Sequence, residues 1–371
     1  LAQDESFHIA SHEAEEEYSK LSDEEFAGLH ANFINLSGGI VPVEKSEKKK
    51  KSQTTPAYRQ AGAQQKERSS HRMSTTSTFI SKTDYILYRD CPKNTWYKIH
   101  KPEIYYADNL SDFEKHIIET GNEVELVARQ TFDDGVLIEG RDEAAQKLTQ
   151  ELLAQKKTTL FQPVFVKDNF MAAVDVLKYD PDTDSYRIYE IKASNETDKK
   201  RHYYDLAFQV VLLRKCGLKV DEMKIMHLNS EYVRDGEVDI FKLFTSDEVT
   251  AEINELCEEV SQEMDEALDY LSAGDEPDGS CCCIYKGRSS HCTTFNHSNP
   301  HVPKYSIHDI SRIGASKKKL AELVDMNVFH LHEVPEDMEL SAVQRNQVNA
   351  YIKDEILMNK GAIAEELENL V

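Results

Sequence analysis

Three charged residues lie within two apolar segments of the sequence and are the strongest candidates for chemistry. Asp175 follows Ala172-Ala173-Val174, and Glu190 and Lys192 alternate with apolar residues across Ile188–Ala193. A charge buried in an apolar strand is strongly destabilising unless a metal ion or a partner compensates it. Two carboxylates bind a hard cation such as Mg²⁺, and a neighbouring lysine can orient or help deprotonate an attacking water. The set indicates metal-assisted hydrolysis; the alternative is a buried Glu–Lys ion pair with Asp175 in a turn.

Two predicted strands must bring these residues together. Segments 170–178 and 186–193 have strand-like composition, and Asp180-Pro181-Asp182-Thr183-Asp184 between them is a strong turn signal. Side chains two apart on a strand share a face and lie about 7 Å apart at ~3.3 Å per residue. Glu190 and Lys192 are therefore expected on one face, and antiparallel pairing through the turn brings Asp175 onto it.

The sequence around this hairpin predicts alternating helices and strands. We expect helices at about 81–91, 111–132, 143–156, 202–216 and 246–271, and strands at 160–166 and 222–229. Residues 307–370 are predicted to be wholly helical. This order predicts an α/β fold, in which a mixed central sheet is flanked by helices and followed by an all-helical C-terminal extension.

Composition limits the classes of function. The 371 residues include 44 basic and 67 acidic ones, a net charge of -23, so nucleic-acid binding would require a local basic site. The sequence has no run of 18 apolar residues, the length that a membrane span requires. The first forty residues carry no secretory signal. We therefore expect a cytoplasmic protein without membrane contact.

Changes in composition divide the chain into four predicted segments. Residues 1–42 form an acidic N-terminal arm, and residues 43–78 are rich in Lys, Gln, Ser and Thr, which favours a disordered basic linker. The lysine run 48–51 is interpreted as a solvated linker, with contact to DNA phosphates as the alternative. The globular body is expected at 79–296 and the helical tail at 297–371.

Val174-Asp175 followed by Glu190-Ile191-Lys192 resembles the signature of the PD-(D/E)XK nucleases. The order of elements over about 79–295 resembles the RecB-like branch of that superfamily. The resemblance implies a restriction-endonuclease-like fold and a DNA nuclease that hydrolyses phosphodiester bonds, on single-stranded DNA or DNA ends, in repair, recombination or defence. It implies that Asp175, Glu190 and the backbone of Ile191 hold Mg²⁺ or Mn²⁺.

Two further positions of the RecB-like pattern are present in altered form. Gly121 begins the segment in which the family carries a metal-binding histidine four residues later, and Glu125 stands there, with Glu123 as the alternative ligand. Gln209 matches the glutamine expected near the scissile phosphate, whereas Leu213 replaces the tyrosine of that motif. These departures leave a catalytically weakened DNA-binding module as the alternative to a nuclease.

Cysteines flank the predicted nuclease body. One cysteine before it and three after it resemble the 4Fe-4S staple of some RecB-like nucleases, which implies a cluster on Cys91, Cys281, Cys283 and Cys292. The adjacent Cys282 is left out because neighbouring side chains diverge. Zinc is the alternative, with His291 as a candidate ligand. An acidic scaffold with a zinc staple is a third hypothesis for the whole chain.

DNA contacts are expected at basic residues around the body and at a turn in the tail. Segment 310–323 resembles a helix-hairpin-helix element with Gly314 in its turn. The tail also resembles the middle of bacterial proteins in which a RecB-like nuclease precedes a DnaQ-like exonuclease domain. Because the chain starts without methionine and Val371 falls before that domain, we expect a fragment whose partner is a C-terminal exonuclease domain. The predicted DNA contacts are Lys93, Lys199, Lys200, Arg201 and Gly314.

Overall fold

The computed structural model describes residues 79–107, 112–356, 358 and 360–369. The predicted acidic arm and basic linker, residues 1–78, lie outside the described residues. Residues 139–148, which include the first half of the helix Glu143–Ala154, group with a smaller unit of the chain. The other features below belong to the larger unit, Ser77–Ile138 and Thr149–Val371.

The strands form two sheets. In chain order the described strands are β1 (Ile80–Ser81), β2 (Gly135–Leu137), β3 (Thr159–Phe161), β4 (Val164–Lys167), β5 (Phe170–Ala173), β6 (Val176–Asp180), β7 (Ser185–Lys192), β8 (Val220–Leu228) and β9 (Phe244–Glu248). The central sheet has the order β2-β3-β6-β7-β8-β9, and a small sheet has the order β1-β5-β4. Pairs β2-β3 and β7-β8 are parallel, while β3-β6, β6-β7 and β8-β9 are antiparallel. The predicted mixed central sheet is confirmed.

Helices flank the central sheet. The described α-helices are α1 (Lys82–Asp90), α2 (Pro92–His100), α3 (Pro102–Tyr105), α4 (Asp112–Arg129), α5 (Glu143–Ala154), α6 (His202–Lys215), α7 (Ile240–Leu243), α8 (Thr250–Ser272), α9 (Phe295–Ser298), α10 (Lys317–Asp325), α11 (Ala342–Lys353) and α12 (Lys360–Asn369). α6 is buried along most of its length and packs against α8, while α4 packs against β7. The α/β class predicted from the element order is confirmed.

Two of the predicted strands each divide in two. Segment 160–166 breaks at Gln162, whose φ of 54° is left-handed and cannot continue a strand, and Pro163 follows it. Segment 170–178 breaks at Val174 and Asp175. The halves before and after these breaks join different sheets, so Asp175 lies at a bend and not, as predicted, inside a strand.

The helix boundaries around Cys91 follow local sequence rules. Ser81 caps α1 through a capping box with Asp84, in which each side chain accepts a hydrogen bond from the other residue's backbone N–H. Pro92 begins α2, because proline at the first position of a helix loses no hydrogen bond. Cys91 therefore lies at the junction of two helices and is fixed on both sides.

The C-terminal region contains helices but is less regular than predicted. Before α10 the chain forms short 3-10 turns at Ile307–Asp309 and Ile313–Ala315, so the first helix expected of a helix-hairpin-helix element is absent from the described residues. Gly314 lies in the second turn and packs against Gly287. These turns contribute Ile307, Ile310 and Ile313 to a compact apolar cluster. The helix-hairpin-helix element stays a prediction. Every described helix is too short or too polar to cross a lipid bilayer.

Candidate active site and metal centre

Asp175, Glu190 and Lys192 meet at one end of the central sheet. The Lys192 ammonium group lies 2.7 Å from Oε1 of Glu190, and the backbone N–H of Ile191 donates a 2.8 Å hydrogen bond to Oδ2 of Asp175. Glu190 is 1% exposed and Asp175 is 7% exposed. The predicted set is thus a buried cluster of opposite charges.

The hairpin geometry explains why these residues meet. β6 and β7 pair antiparallel with Val176 opposite Tyr189, which brings Asp175, just before β6, beside Ile191. β8 pairs with β7 in parallel and places Ile225 beside Glu190. Helix α6 then covers the cluster, because its first turns carry Asp205 and Gln209 next to the end of β7.

Two residues of the cluster were not predicted from the sequence. The ammonium group of Lys82 lies 2.9 and 3.1 Å from the two oxygens of Glu190 and 3.8 Å from Asp175 and Asp205. Asp205 accepts a 2.5 Å bond from Lys192. Asp205 stands in the apolar stretch 203–213, a signal that could have identified it, whereas Lys82 at the start of α1 has the pattern of an ordinary surface lysine.

Gln209 is fully buried and orients Glu190. Its amide nitrogen donates a 2.6 Å hydrogen bond to Oε2 of Glu190 and lies 3.3 Å from the backbone and side-chain oxygens of Asp205. Its own Oε1 is buried and has no hydrogen-bond partner within the described part of the chain. Gln209 is 0% exposed. In this structure Gln209 therefore contacts the carboxylate of Glu190, and its contact with a phosphate stays a prediction.

Glu125 faces the cluster, and Glu123 does not. The side-chain amide of Gln162 donates to Glu125 and, at 3.1 Å, to Oδ1 of Asp175, so it bridges the two carboxylates. Arg129, one turn further along α4, also pairs with Glu125. Glu123 is exposed. Of the two candidate replacements for the family's histidine, Glu125 is the one adjoining Asp175, and Gln162 is a further residue that the sequence did not reveal.

Burial and neighbouring charges move the pKa values of the cluster in different directions. Burial raises the pKa of Asp175 to about 7, and the negative charge of Glu190 acts in the same direction. Burial also raises the pKa of Glu190, but the charges of Lys192 and Lys82 outweigh it and bring the pKa well below its usual range. Desolvation lowers the pKa of Lys192, yet Glu190 and Asp205 raise it above its usual range. Of these two carboxylates, Asp175 is thus the one whose burial is not offset by neighbouring positive charge.

The oxygen-rich donor set fits a hard divalent cation. Asp175, Glu190 and Asp205 supply carboxylate oxygens from three different elements, and Glu125 is linked to them through Gln162. Mg²⁺ and Mn²⁺ prefer such ligands over nitrogen and sulfur. The raised pKa of Asp175 is the response expected of a carboxylate whose burial outweighs the positive charge of Lys82, 3.8 Å away.

A cavity of about 340 Å³ adjoins the carboxylates. Its walls combine cationic groups, including Lys98 and Arg201, with the Tyr105 ring and the apolar side chains of Ile86 and Leu87. Lys82, Lys192 and Asp205 form its inner wall. A cationic and partly aromatic recess next to a carboxylate cluster can accept a phosphate group together with an organic ring.

The predicted DNA contacts differ in accessibility. Lys199, Lys200 and Arg201 are exposed on the turn that leads into α6. Lys93 is buried, and its ammonium group donates a 2.5 Å bond to the backbone carbonyl of Gly279, so it is not the surface contact predicted. Gly314 approaches Gly287 closely, and this packing accounts for the glycine without a phosphate.

The four cysteines implied by the resemblance come together outside the sheet. The sulfur atoms of Cys91, Cys281, Cys283 and Cys292 all lie within 4.8 Å of one another. Cys282 is exposed, and its sulfur points to the backbone carbonyl of Asp90, 3.5 Å away. All the cysteines in the described residues are free thiols. Three buried thiols and the half-buried Cys292 at this spacing fit a metal centre.

His291 is not part of the candidate metal group. Its ring stacks on Phe295, and Nε2 lies 3.0 Å from the backbone carbonyl of Lys286. Burial lowers the pKa of His291 to about 4, with the neighbouring His308 acting in the same direction. The prediction of His291 as a zinc ligand is wrong, because the carbonyl and Phe295 already fix its ring.

Comparisons with known proteins give distant structural likenesses. No protein-family model and no curated protein matches the sequence. The structure of SSO0001 matches 52% of this chain and 79% of its own, with 11% identity and a TM-score of 0.26. The structure of an alkaline exonuclease (LHK-Exo) from Laribacter hongkongensis matches 48% of this chain and 93% of its own, with 12% identity and a TM-score of 0.22.

Proposed function

We propose that the chain is a metal-dependent nuclease of the PD-(D/E)XK type that hydrolyses phosphodiester bonds in DNA. The observation that carries the proposal is the convergence of Asp175, Glu190 and Lys192 on one buried site. A buried cluster of carboxylates and lysines that adjoins a cationic cavity is suited to catalysis on a phosphate ester. A restriction-endonuclease-like fold is consistent with the β6-β7 hairpin followed by α6 and the parallel strand β8.

Asp175 and Glu190, with the backbone carbonyl of Ile191, would hold Mg²⁺ or Mn²⁺. Glu125 is the proposed third side chain, since Gln162 connects it to Asp175. When bound, the ion would polarise the phosphate and lower the pKa of a water molecule. The chain's own contribution is to keep these carboxylates close together in a buried site.

Lys192 is proposed to assist by donating hydrogen bonds. Its ion pairs with Glu190 and Asp205 keep it as an ammonium group, so it cannot accept a proton from water in this arrangement. It can orient a water molecule and stabilise negative charge on a phosphate oxygen at the cavity wall. Of the two roles considered for this lysine, the geometry favours orientation over deprotonation.

Gln209 is proposed as a positioning residue. Its buried amide holds Oε2 of Glu190 at 2.6 Å and leaves the other oxygen to the two lysines. Loss of a hydrogen bond that orients a ligating carboxylate typically lowers metal affinity or activity about 10- to 100-fold. Leu213, which stands at the position of the motif's tyrosine, is fully buried.

DNA is the proposed substrate and partner. The cavity beside the carboxylates carries Lys98 and Arg201, and Lys199 and Lys200 lie exposed next to Arg201. Basic groups at this position neutralise phosphates locally despite the net charge of -23. Tyr105 on the cavity wall offers a ring on which a base of a single strand can stack.

The deciding experiment compares DNA cleavage by the wild type, Asp175→Ala, Lys192→Ala and the control Lys156→Ala. Lys156 is exposed and pairs with Asp184 at the far end of the β6-β7 hairpin. We expect single- or double-stranded DNA to be cleaved only with Mg²⁺ or Mn²⁺ and both site variants to lose at least about 100-fold in rate. Equal rates in all four proteins would overturn the proposal; DNA binding without cleavage in the wild type would favour the alternative binding module.

A further inference from the structure

The cysteine cluster has the dimensions of a site for a single metal ion. The sulfur atoms of Cys91 and Cys292 are 3.8 Å apart, and those of Cys281 and Cys292 are also 3.8 Å apart. All four sulfur atoms, including that of Cys283, lie within 4.8 Å of one another. A zinc ion with Zn–S bonds of about 2.3 Å holds the sulfur atoms of a tetrahedron about 3.8 Å apart.

An iron-sulfur cubane requires a wider site. Its four irons and four sulfides keep the cysteine sulfur atoms about 6 Å apart, because each thiolate binds a different corner. The sulfur atoms here all lie within 4.8 Å of one another, so the distance between every pair would have to increase. The surrounding packing resists this, since Cys91, Cys281 and Cys283 are each 1% exposed and belong to one apolar cluster with Ile284.

We propose that the four cysteines bind one zinc ion in place of the 4Fe-4S cluster implied by the sequence resemblance. Thiolate sulfur selects zinc and iron among the common metals, and the tetrahedral spacing limits the choice to one ion. Among divalent ions in such a site, zinc binds more tightly than iron(II). This inference concerns a structural centre and does not depend on the proposed nuclease activity.

The neighbouring side chains support a thiolate centre. The amide of Asn299 is buried and lies 3.3 Å from the sulfur of Cys281, so it can donate a hydrogen bond to a thiolate. Cys292 has the hydroxyl of Thr294 at 3.9 Å. Such donors stabilise metal-bound sulfur and orient the ligands.

The centre would join parts of the chain that are far apart in sequence. Cys91, at the junction of α1 and α2, meets Cys292, which is 201 residues further along. Phe295 and Leu320 pack in the same cluster and extend it into the C-terminal region. Because zinc itself has no redox chemistry in proteins, the centre is expected to tie these segments together without taking part in electron transfer.

The test is the metal content of the wild-type protein, produced in medium that contains both iron and zinc and purified without oxygen. We expect about one zinc per chain, no acid-labile sulfide and no brown colour near about 400 nm. Stoichiometric sulfide with several irons, a single iron, or no stoichiometric metal would each overturn the proposal. Because these measurements use the wild-type protein alone, they test the proposal even if a cysteine variant fails to fold.

A matched pair of neighbouring residues tests the ligand set. Cys283→Ser should lose at least about 10-fold in zinc affinity. Cys282→Ser should bind zinc as the wild type does, because the exposed Cys282 is not one of the four cysteines whose sulfur atoms form the group. Cobalt replacement in the wild type should produce the intense visible bands of a tetrahedral thiolate site, unchanged in Cys282→Ser. Equal loss in both variants, or an octahedral cobalt spectrum, would contradict this ligand set. Lys192→Ala should keep its zinc, so failure of cleavage and failure of zinc binding are distinguishable.

Discussion

The ammonium group of Lys82 lies 2.9 Å from Oε1 and 3.1 Å from Oε2 of Glu190, although 108 residues separate the two in the sequence. This contact joins helix α1 to strand β7 of the central sheet. It also supplies positive charge to a site with three buried carboxylates, and several predictions depend on that balance of charge.

Loss of Lys82 should destabilise the fold when divalent metal is removed. Lys82→Met leaves Glu190, Asp175 and Asp205 with Lys192 as their remaining close ammonium group, so we expect the free energy of unfolding in EDTA to fall by about 3 kcal/mol. Urea unfolding measures this change. Addition of Mn²⁺ should restore part of the loss, because the cation compensates the same carboxylates.

The control for this prediction is Lys101→Met. Lys101 pairs with Glu276 on the surface, where an ion pair contributes less than about 1 kcal/mol. A change of equal size in both variants would show that Lys82 is not special to the carboxylate cluster.

Gln209 should affect the metal dependence of cleavage more than the affinity for DNA. Gln209→Leu removes the 2.6 Å hydrogen bond to Glu190, so we expect the concentration of Mn²⁺ needed for half-maximal cleavage to rise about 10- to 100-fold. The KM for DNA should stay close to that of the wild type. Titration of both metal and DNA separates the two effects, with the exposed Gln155→Leu as the control; a rise in KM for DNA alone would instead support direct phosphate contact.

Asp175 should make stability without metal depend on pH. Burial raises its pKa to about 7, with Glu190 acting in the same direction, whereas an unfolded chain titrates near about 4. A carboxyl whose folded pKa is raised contributes stability that is present below its unfolded pKa and is lost as the pH rises through its folded pKa. The stability of the wild type in EDTA should therefore decrease between about pH 4 and pH 7 through this group.

Asp175→Asn tests this dependence, because asparagine has no proton to release and can still accept from the N–H of Ile191. In EDTA at about pH 8 we expect the variant to be more stable than the wild type by on the order of 3 kcal/mol, with little difference near about pH 4. Urea unfolding across this range is the measurement. A variant less stable than the wild type at high pH would refute the prediction.

Substitution of Gly314 should lower the stability of the fold and leave the affinity for DNA unchanged. A Cβ atom at this position would lie 3.0 Å from the Cα of Gly287, so Gly314→Ala should lower the free energy of unfolding by about 1 to 2 kcal/mol. Gly274→Ala is the matched control, because a Cβ there meets no atom within 4 Å. Thermal unfolding measures the effect. Weaker DNA binding by Gly314→Ala at unchanged stability would instead support a contact between this turn and a DNA phosphate.

Much of the fold could be predicted from local patterns. The alternation of apolar residues and the Asp-Pro-rich turn indicated the β6-β7 hairpin, and the period of apolar residues indicated α4, α6 and α8. The strand breaks at Gln162 and Asp175 were missed, because each segment remains apolar through the break and sequence pattern does not show a change of sheet.

Sequence by itself determined the most important part of the candidate site. Glu190 and Lys192 share a face because strand periodicity requires it, and Asp175 joins them through a short hairpin. The cysteines could likewise be selected by their spacing, with Cys282 left aside because side chains of adjacent residues diverge.

Only the tertiary structure decided which other groups complete these sites. Lys82, Asp205 and Gln162 come from elements that are distant in sequence, and their convergence results from the packing of α1 and α6 and from the left-handed turn before β4. The separation of the four sulfur atoms is also set by packing, because a spacing of residues in sequence imposes no distance between helices and loops. Local chemistry therefore indicated which residues to expect at each candidate site, and long-range packing determined their partners and the spacing of the cysteine sulfur atoms.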